Sequence, residues 1–307
     1  MCIAFLHRRE KLKGDSPSGP HLMADLSLDT ITKRETWAAL APRLHIEDAD
    51  LMRAAPLSVD PARAIAMREL MLLDGYFQES DAAWKVDLAL MAETVRGLAR
   101  EGLSPVFAFL YDEFWVPFRQ LDPLFREILG GYAMLPDFWV WNVDPKKGDA
   151  GWTPHRDKGA GTLRPDGMPN SITCWIPLTD ATPLNSCMYI VPARHDPTYG
   201  TAREGEWRFE LPSIRALPAK PGDVFVWNQA VLHWGSKSAP QASDSRVSMA
   251  VEFQRADFPA INPPLIKPLA PLPFEARLKL IARQVLQYRH MYKVAPDLEQ
   301  MMLKLVA

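Results

Sequence analysis

The sequence predicts a mainly β protein, a barrel or double-sheet jelly roll about 120 residues long, with helices before and after it. Two observations predict it. After Gly130-Gly131 the chain runs as short segments rich in β-formers and bounded by turn residues. On either side, from about residue 31 to 130 and again from 274 to 292, apolar residues recur at steps of three and four.

The elements follow in order. Residues 1–28 are polar, carry Gly14, Pro17, Gly19 and Pro20, and read as a flexible arm. Asp60-Pro61 is an N-cap followed by proline in the first turn, and Gly75 a terminator, with Met67, Leu70 and Met71 on one face between them. A second helix carries Leu88, Met91, Val95 and Leu98 and ends at Gly102. A third helical segment, residues 105–129, is interrupted by Pro117 and Pro123. The expected strands are centred on Phe138-Trp139-Val140-Trp141-Asn142-Val143, Ser171 to Leu178, Cys187 to Val191, Val224 to Trp227 and Val247 to Phe253. Leu278, Ile281, Val285 and Tyr288 share a side of the closing helix. The expected organisation is one domain over 29–307, helical over 29–130, β over 131–255 and helical over 256–307.

Composition bounds the function. A 48% hydrophobic and 23% charged chain has the apolar content for a sizeable core. A formal net charge of −2 gives no basic field for nucleic acid. Met1 to Gly14 has only a five-residue apolar run followed by His7-Arg8-Arg9, the wrong order for a secretory signal. No run approaches the ~20 residues that span a bilayer. Cys2, Cys174 and Cys187 form neither a metal spacing nor a disulfide framework, so a cytoplasmic setting is expected.

The chemistry centres on Gly151-Trp152-Thr153-Pro154-His155-Arg156-Asp157. On a strand, His155 and Asp157 would point to the same side and could occupy neighbouring corners of one metal ion. A second imidazole from a distant strand would complete the two-His, one-carboxylate arrangement of non-haem iron(II) oxygenases. Spacing alone proves little: with 7 histidines and 37 acids in 307 residues, about 0.8 accidental matches are expected. His45-Ile46-Glu47 has the same spacing and reads as a surface accident. His233 follows the Pro221-Gly222-Asp223 turn and a further strand, far enough along to return beside His155. In Ser245-Arg246-Val247-Ser248-Met249, alternation puts Arg246 and Ser248 on one face. A guanidinium fork with a hydroxyl beside it suits the distal carboxylate of a dicarboxylate such as 2-oxoglutarate.

In these blocks the chain resembles the phytanoyl-CoA dioxygenase family of iron(II)/2-oxoglutarate oxygenases. The resemblance covers most of residues 60–255. It runs through Leu73-Asp74-Gly75-Tyr76-Phe77, His155-Arg156-Asp157 and Ile172 to Thr182. It continues through Pro192-Ala193-Arg194-His195, Pro221-Gly222-Asp223, His233 and Arg246. It implies a double-stranded β-helix (jelly roll, cupin-like) core. It also implies His155, Asp157 and His233 as ligands of Fe(II), with Arg246 on the distal carboxylate of 2-oxoglutarate as cosubstrate and O2 as oxidant; Ser248 is expected to support Arg246 from the same strand face. Asn142 and Trp175 are implied as lining of the cosubstrate pocket; read alone, Asn142 equally caps the turn at Asp144-Pro145 and Trp175 equally fills the barrel. Ala193-Arg194 stands where the family has a small Gly-Ser pair, which leaves the role of His195 open. The glycine-rich stretch 158–167 is expected to form part of a lid.

The resulting expectation is a dioxygenase that hydroxylates a small molecule, with no catalytic side chain beyond the ligands. No nucleic-acid or membrane partner is expected, and the sequence leaves the oligomeric state open. Two rivals stand beside it: a cupin-like metal-binding or sensor module without turnover, and a metal-dependent hydrolase or isomerase on the same barrel. Arg246 argues against the sensor, which has no need of a dicarboxylate fork.

Overall fold

The computed structural model of the protein describes residues 26–291 and 294–307. The flexible arm expected over 1–28 lies outside the described residues except for its last three, as does Cys2. Those last three already belong to a helix start. Ser27 caps α1 (Leu28–Ile31), its hydroxyl accepting the Thr30 N–H at 3.2 Å.

The N-terminal helices continue with α2 (Arg34–Leu40), α3 (Pro61–Leu73), α4 (Leu88–Arg100), α5 (Val116–Gln120) and α6 (Asp122–Leu129). α3 begins as its residues dictate. The Asp60 carboxylate accepts the N–H groups of Ala62 and Arg63, and Pro61 fills a position that needs no donor. Gly75, at φ 79°, then turns the chain into β1 (Tyr76–Glu79). The stretch 105–129, read as one interrupted helix, is instead two 3-10 turns, Pro105–Leu110 and Asp112–Phe114, followed by α5 and α6. Pro117 and Pro123 each stand in a first turn, so each opens a new helix instead of kinking an old one.

The remaining strands are β2 (Tyr132–Val143), β3 (Ser171–Pro177), β4 (Met188–Val191), β5 (Arg215–Leu217), β6 (Val224–Asn228), β7 (Leu232–Gly235) and β8 (Arg246–Arg255). α7 (Phe274–Tyr288) and α8 (Pro296–Val306) close the chain. The strands form two antiparallel sheets, one in the order β1-β6-β3-β8-β2 and one in the order β5-β4-β7. The jelly-roll core is therefore two open sheets flanked by helices, not a closed barrel. Among the described residues no helix is long and apolar enough to cross a membrane.

The larger sheet is covered on both faces, which is why β3 is buried at every position. Ile172, Cys174 and Ile176 of β3, with Val247, Met249 and Val251 of β8, pack on helical residues such as Met91, Val95, Ile281 and Val285. Trp139, Trp175, Phe225 and Trp227 point the other way and pack with Met188 and Ile190 of β4, between the sheets. Directly opposed residues of an antiparallel pair share a face. The register pairs Trp141 with Ser248, Trp139 with Ala250, Val143 with Arg246 and Thr173 with Glu252. That inward face carries the polar residues of the strands, and it walls the site.

Candidate metal centre and active site

His155, Asp157 and His233 meet between the two sheets. The segment carrying the first two is not the regular strand expected. It joins β7 through one antiparallel bridge, His155 to His233, with N–H···O bonds of 3.0 Å in both directions. A few residues upstream the same two segments touch at glycines: a Cβ on Gly151 would lie 2.5 Å from the Gly235 Cα. This pairing brings the imidazoles to a ring separation of 4.4 Å. Asp157 Oδ1 then lies 3.3 Å from His155 Nε2 and 3.5 Å from His233 Nε2. One donor atom from each of the three side chains lies within 4.8 Å of the others.

The surroundings orient these atoms toward a cation. His155 Nδ1–H donates to the Thr153 carbonyl at 2.7 Å, and His233 Nδ1–H to the Val231 carbonyl at 3.1 Å. Carbonyls only accept, so the imidazole protons sit on Nδ1 and both Nε2 lone pairs are free. Asp157 Oδ2 accepts the Thr173 hydroxyl at 2.7 Å and the Trp227 indole N–H at 2.9 Å, which leaves Oδ1 for the centre. Three acceptor atoms facing one point repel unless a cation stands among them. Burial pushes the Asp157 carboxyl up, but the His233 and His155 imidazoles outweigh it and hold the group well below the usual carboxylate range. Burial pushes His155 down and the Asp157 carboxylate more than offsets this, so its pKa is raised. Two imidazole nitrogens and one carboxylate oxygen fit a divalent transition metal with positions left open.

The look-alike pair is not simply a surface accident. His45 Nδ1 lies 2.7 Å from Glu113 Oε1, and Glu47 accepts the Phe274 N–H at 2.9 Å at the start of α7. Both side chains brace the helical layer.

Arg156, between the two ligands, went unread in the sequence. Its Nη2 donates to Asp196 at 2.6 Å and Thr198 at 3.1 Å, its Nη1 to the Ala230 carbonyl at 2.6 Å, and its Nε to the Glu204 carbonyl at 3.1 Å. Ala230 leads into β7, so one buried guanidinium ties the segment of His155 and Asp157 to the strand of His233. A charged residue between two inward ligands must point outward from the site and find partners there, and that is the signal that could have found it. The block Pro192-Ala193-Arg194-His195 serves this clamp through the next residue, Asp196. His195 itself is exposed, and Arg194 pairs with Asp74 at 3.0 Å. Arg156→Ala is expected to weaken metal binding by about 10–100-fold, the usual loss when a group behind the ligands is removed. Arg156→Lys should recover only part of it, because an ammonium cannot span four acceptors. Equilibrium metal titration of the folded variant checks this, and unchanged affinity would contradict it.

The glycine-rich stretch 158–167, expected as part of a lid, is anchored over its first half. The Lys158 and Gly159 N–H groups donate to the Gln229 carbonyl at 3.0 and 2.9 Å, and the Ala160 N–H donates to the Glu204 carboxylate.

With this geometry in place, comparison with known proteins decides the family. The profile of the phytanoyl-CoA dioxygenase (PhyH) family matches residues 59–246, more than half the chain, from the start of α3 to the first residue of β8. The chain belongs to the phytanoyl-CoA dioxygenase family. Comparison with curated proteins returned no match. Among solved structures, the chain is similar to the epimerase SnoN in complex with Fe3+, alpha ketoglutarate and nogalamycin RO. That likeness has 19% identity over 69% of this chain and 96% of that one, with a TM-score of 0.47. It is similar to EctD from S. alaskensis with 2-oxoglutarate and 5-hydroxyectoine, at 17% identity over 70% and 80% of the chains and a TM-score of 0.45. It is also similar to HygX from Streptomyces hygroscopicus with nickel and 2-oxoglutarate bound, at 15% identity over 66% and 89% and a TM-score of 0.47.

In this phytanoyl-CoA dioxygenase family member a cavity runs from the His–Asp–His cluster to Arg246 and is lined by Trp175. Arg246 is 2% exposed, donates to the Ser248 hydroxyl from the same face and stands 5.7 Å over the Trp175 ring. Burial pushes its guanidinium down to about 10, so it stays charged at neutral pH. Its Nε has no hydrogen-bond partner among the described residues. A buried cation in that condition calls for an anion. Asn142 is not part of this pocket. It pairs with Val247, so strand alternation turns it away from Arg246 and Ser248, and it lines a neighbouring cavity with Leu103 and Leu298 that Trp139, Trp141 and Trp152 also wall. Trp141, opposite Ser248, takes the inward place. Arg255, at the far end of β8, pairs with Asp257 at 2.9 Å and does not line the cavity. Glu252, unread in the sequence, lines the cavity with its carboxylate 3.3 Å from Lys158 Nζ. Burial pushes its pKa up to about 8. It lies three alternations along β8 from Arg246, on the same face, which is where it could have been found.

Proposed function

We propose that this protein is an iron(II)- and 2-oxoglutarate-dependent oxygenase that hydroxylates an unactivated C–H bond of a small molecule, with release of succinate and carbon dioxide. One observation carries the reading: a three-ligand cluster and a buried guanidinium with no ion-pair partner among the described residues line the same cavity. His155, Asp157 and His233 would hold the iron. Arg246, with Ser248 beside it, would hold the distal carboxylate of 2-oxoglutarate. When bound, iron and 2-oxoglutarate supply the oxidative chemistry with O2.

The chain's own part is positional. The Thr153 and Val231 carbonyls fix both imidazoles in the ligating tautomer. Thr173 and Trp227 occupy one Asp157 oxygen, so the carboxylate meets the metal through the other. Trp175 and Trp227 fill the space around the centre with apolar surface, which limits water and raises the worth of each charged contact. A metal sensor or a metal-dependent hydrolase on the same core would have no use for the Arg246 fork, and this favours the oxygenase over both. The buried free thiols of Cys174 and Cys187 support a reducing, cytoplasmic setting.

Asp157 supplies the carboxylate that halogenases using this chemistry replace with chloride, so the expected product gains one oxygen atom. Mass spectrometry of the product made under labelled oxygen, with succinate measured in parallel, tests the reading. Chloride incorporation, or turnover without succinate, would overturn it.

A further inference from the structure

The proposed oxygenase reading leaves the substrate open, and the cavity wall beside the ligands bears on it. Trp139 and Trp141, two apart on β2, stack with ring centroids 6.0 Å apart and planes within 12°. Trp152 stands across both, at 84° to Trp139 and 89° to Trp141, with centroids at 4.6 and 5.9 Å. The three make a right-angled aromatic corner. Tyr288, 4.0 Å from Trp139, backs it, and His155 adjoins it, 5.4 Å from Trp152. Trp141 and Trp152 are only half-buried, and all three indoles line the cavity that holds the ligand cluster.

The charges lining that cavity have other partners. Asp157 faces the metal position, Arg246 the dicarboxylate, and Glu252 lies 3.3 Å from Lys158. A charged substrate group entering the corner would meet tryptophan with no counter-charge, at a desolvation cost. Cations are held best where aromatic faces surround them, and this corner offers a stacked pair and one perpendicular ring. A planar ring fits it better, stacking on one indole while presenting its edge to the other.

We infer that the substrate places a flat, uncharged ring system in the corner formed by Trp139, Trp141 and Trp152, next to His155. This rests on the oxygenase reading of the ligand cluster. It assigns the substrate to compounds that carry an apolar ring.

The test titrates 2-naphthol, octanoyl-coenzyme A and tetramethylammonium separately into the full-length protein and reads probe binding by NMR. 2-Naphthol should bind the metal-free protein. Trp141→Ala and Trp152→Ala should each weaken it about tenfold or more, with Trp141→Phe retaining most of the affinity. Trp207→Ala, at a position 55% exposed, should leave it unchanged. In wild-type protein shown to hold manganese, the bound probe's protons should relax faster than in the zinc-loaded protein, and this result does not depend on any variant folding. No naphthol binding, binding unaffected by the corner variants or by manganese, or preferential binding of either charged probe would overturn the assignment. Failure of the protein to bind any metal would instead refute the oxygenase reading, while the metal-free titrations still decide the corner.

Discussion

Asp157→Ala should lose metal binding almost completely, and His155→Ala and His233→Ala should each lose at least about two orders of magnitude. The reasoning compares shells: removing a group behind a ligand costs about 10–100-fold, and removing one of only three protein donors must cost more. Asp157 is the most sensitive because it supplies the only charge among the donors. Its replacement also leaves the Thr173 hydroxyl and the Trp227 N–H without an acceptor, about 1–3 kcal/mol for each buried group. Asp157→Asn keeps an acceptor oxygen for those two donors and removes the charge, so it separates lost metal from lost stability. The pH dependence has a definite sign. Metal must displace the proton from His155, whose pKa is raised by Asp157, so affinity falls as pH drops through that raised value. His45→Ala is the control: it carries the same spacing and should keep full metal affinity. Metal content after equilibrium dialysis measures all of these, and a His233→Ala protein that retains metal would remove His233 from the centre.

Arg246→Ala should raise the 2-oxoglutarate concentration needed for saturation by at least about a hundredfold while leaving metal affinity nearly unchanged. Each charge-assisted bond contributes about 1.5–3 kcal/mol, and two are lost together. The variant also leaves the bound carboxylate unpaired in a buried pocket. Arg246→Lys should rescue only in part, since a point charge replaces a planar fork. Ser248→Ala should cost roughly 1 kcal/mol, the worth of one neutral donor. Asn142→Ala, on the face of β2 turned away from Arg246, should not change cosubstrate saturation. Normal 2-oxoglutarate saturation in Arg246→Ala would place the anchor elsewhere.

Much of the fold was legible because its signals are local. Asp60-Pro61 and Gly75 mark the ends of α3, and the β-rich runs after Gly131 mark the core strands. The elements misread were those where context outranks pattern. The Pro105–Leu110 stretch has helical spacing but tightens into a 3-10 turn, and Pro117 and Pro123 begin helices within what looked like one. At the site, alternation on β8 placed Arg246 and Ser248 together, and the same count would have reached Glu252. Asn142 was misplaced because its neighbour Trp141 holds the inward position, a distinction that only register supplies. Polar alternation ordinarily points to solvent. In this protein both faces of the large sheet are covered, so the polar residues of β3 and β8 face a cavity between sheets. The outward direction of Arg156 was legible but its partners were not: Asp196, Thr198, Glu204 and Ala230 lie 40 to 74 positions away along the chain.

The central claim is that one cavity holds a metal at His155, Asp157 and His233 and a dicarboxylate spanning from that metal to Arg246. Anaerobic calorimetric titration of 2-oxoglutarate into the protein, with and without iron(II), tests it most directly. Tight binding should require iron, vanish in His233→Ala for want of metal, and weaken at least about a hundredfold in an Arg246→Ala protein that still holds its iron. Equally tight binding in the absence of iron, or in the iron-loaded Arg246→Ala protein, would contradict the account.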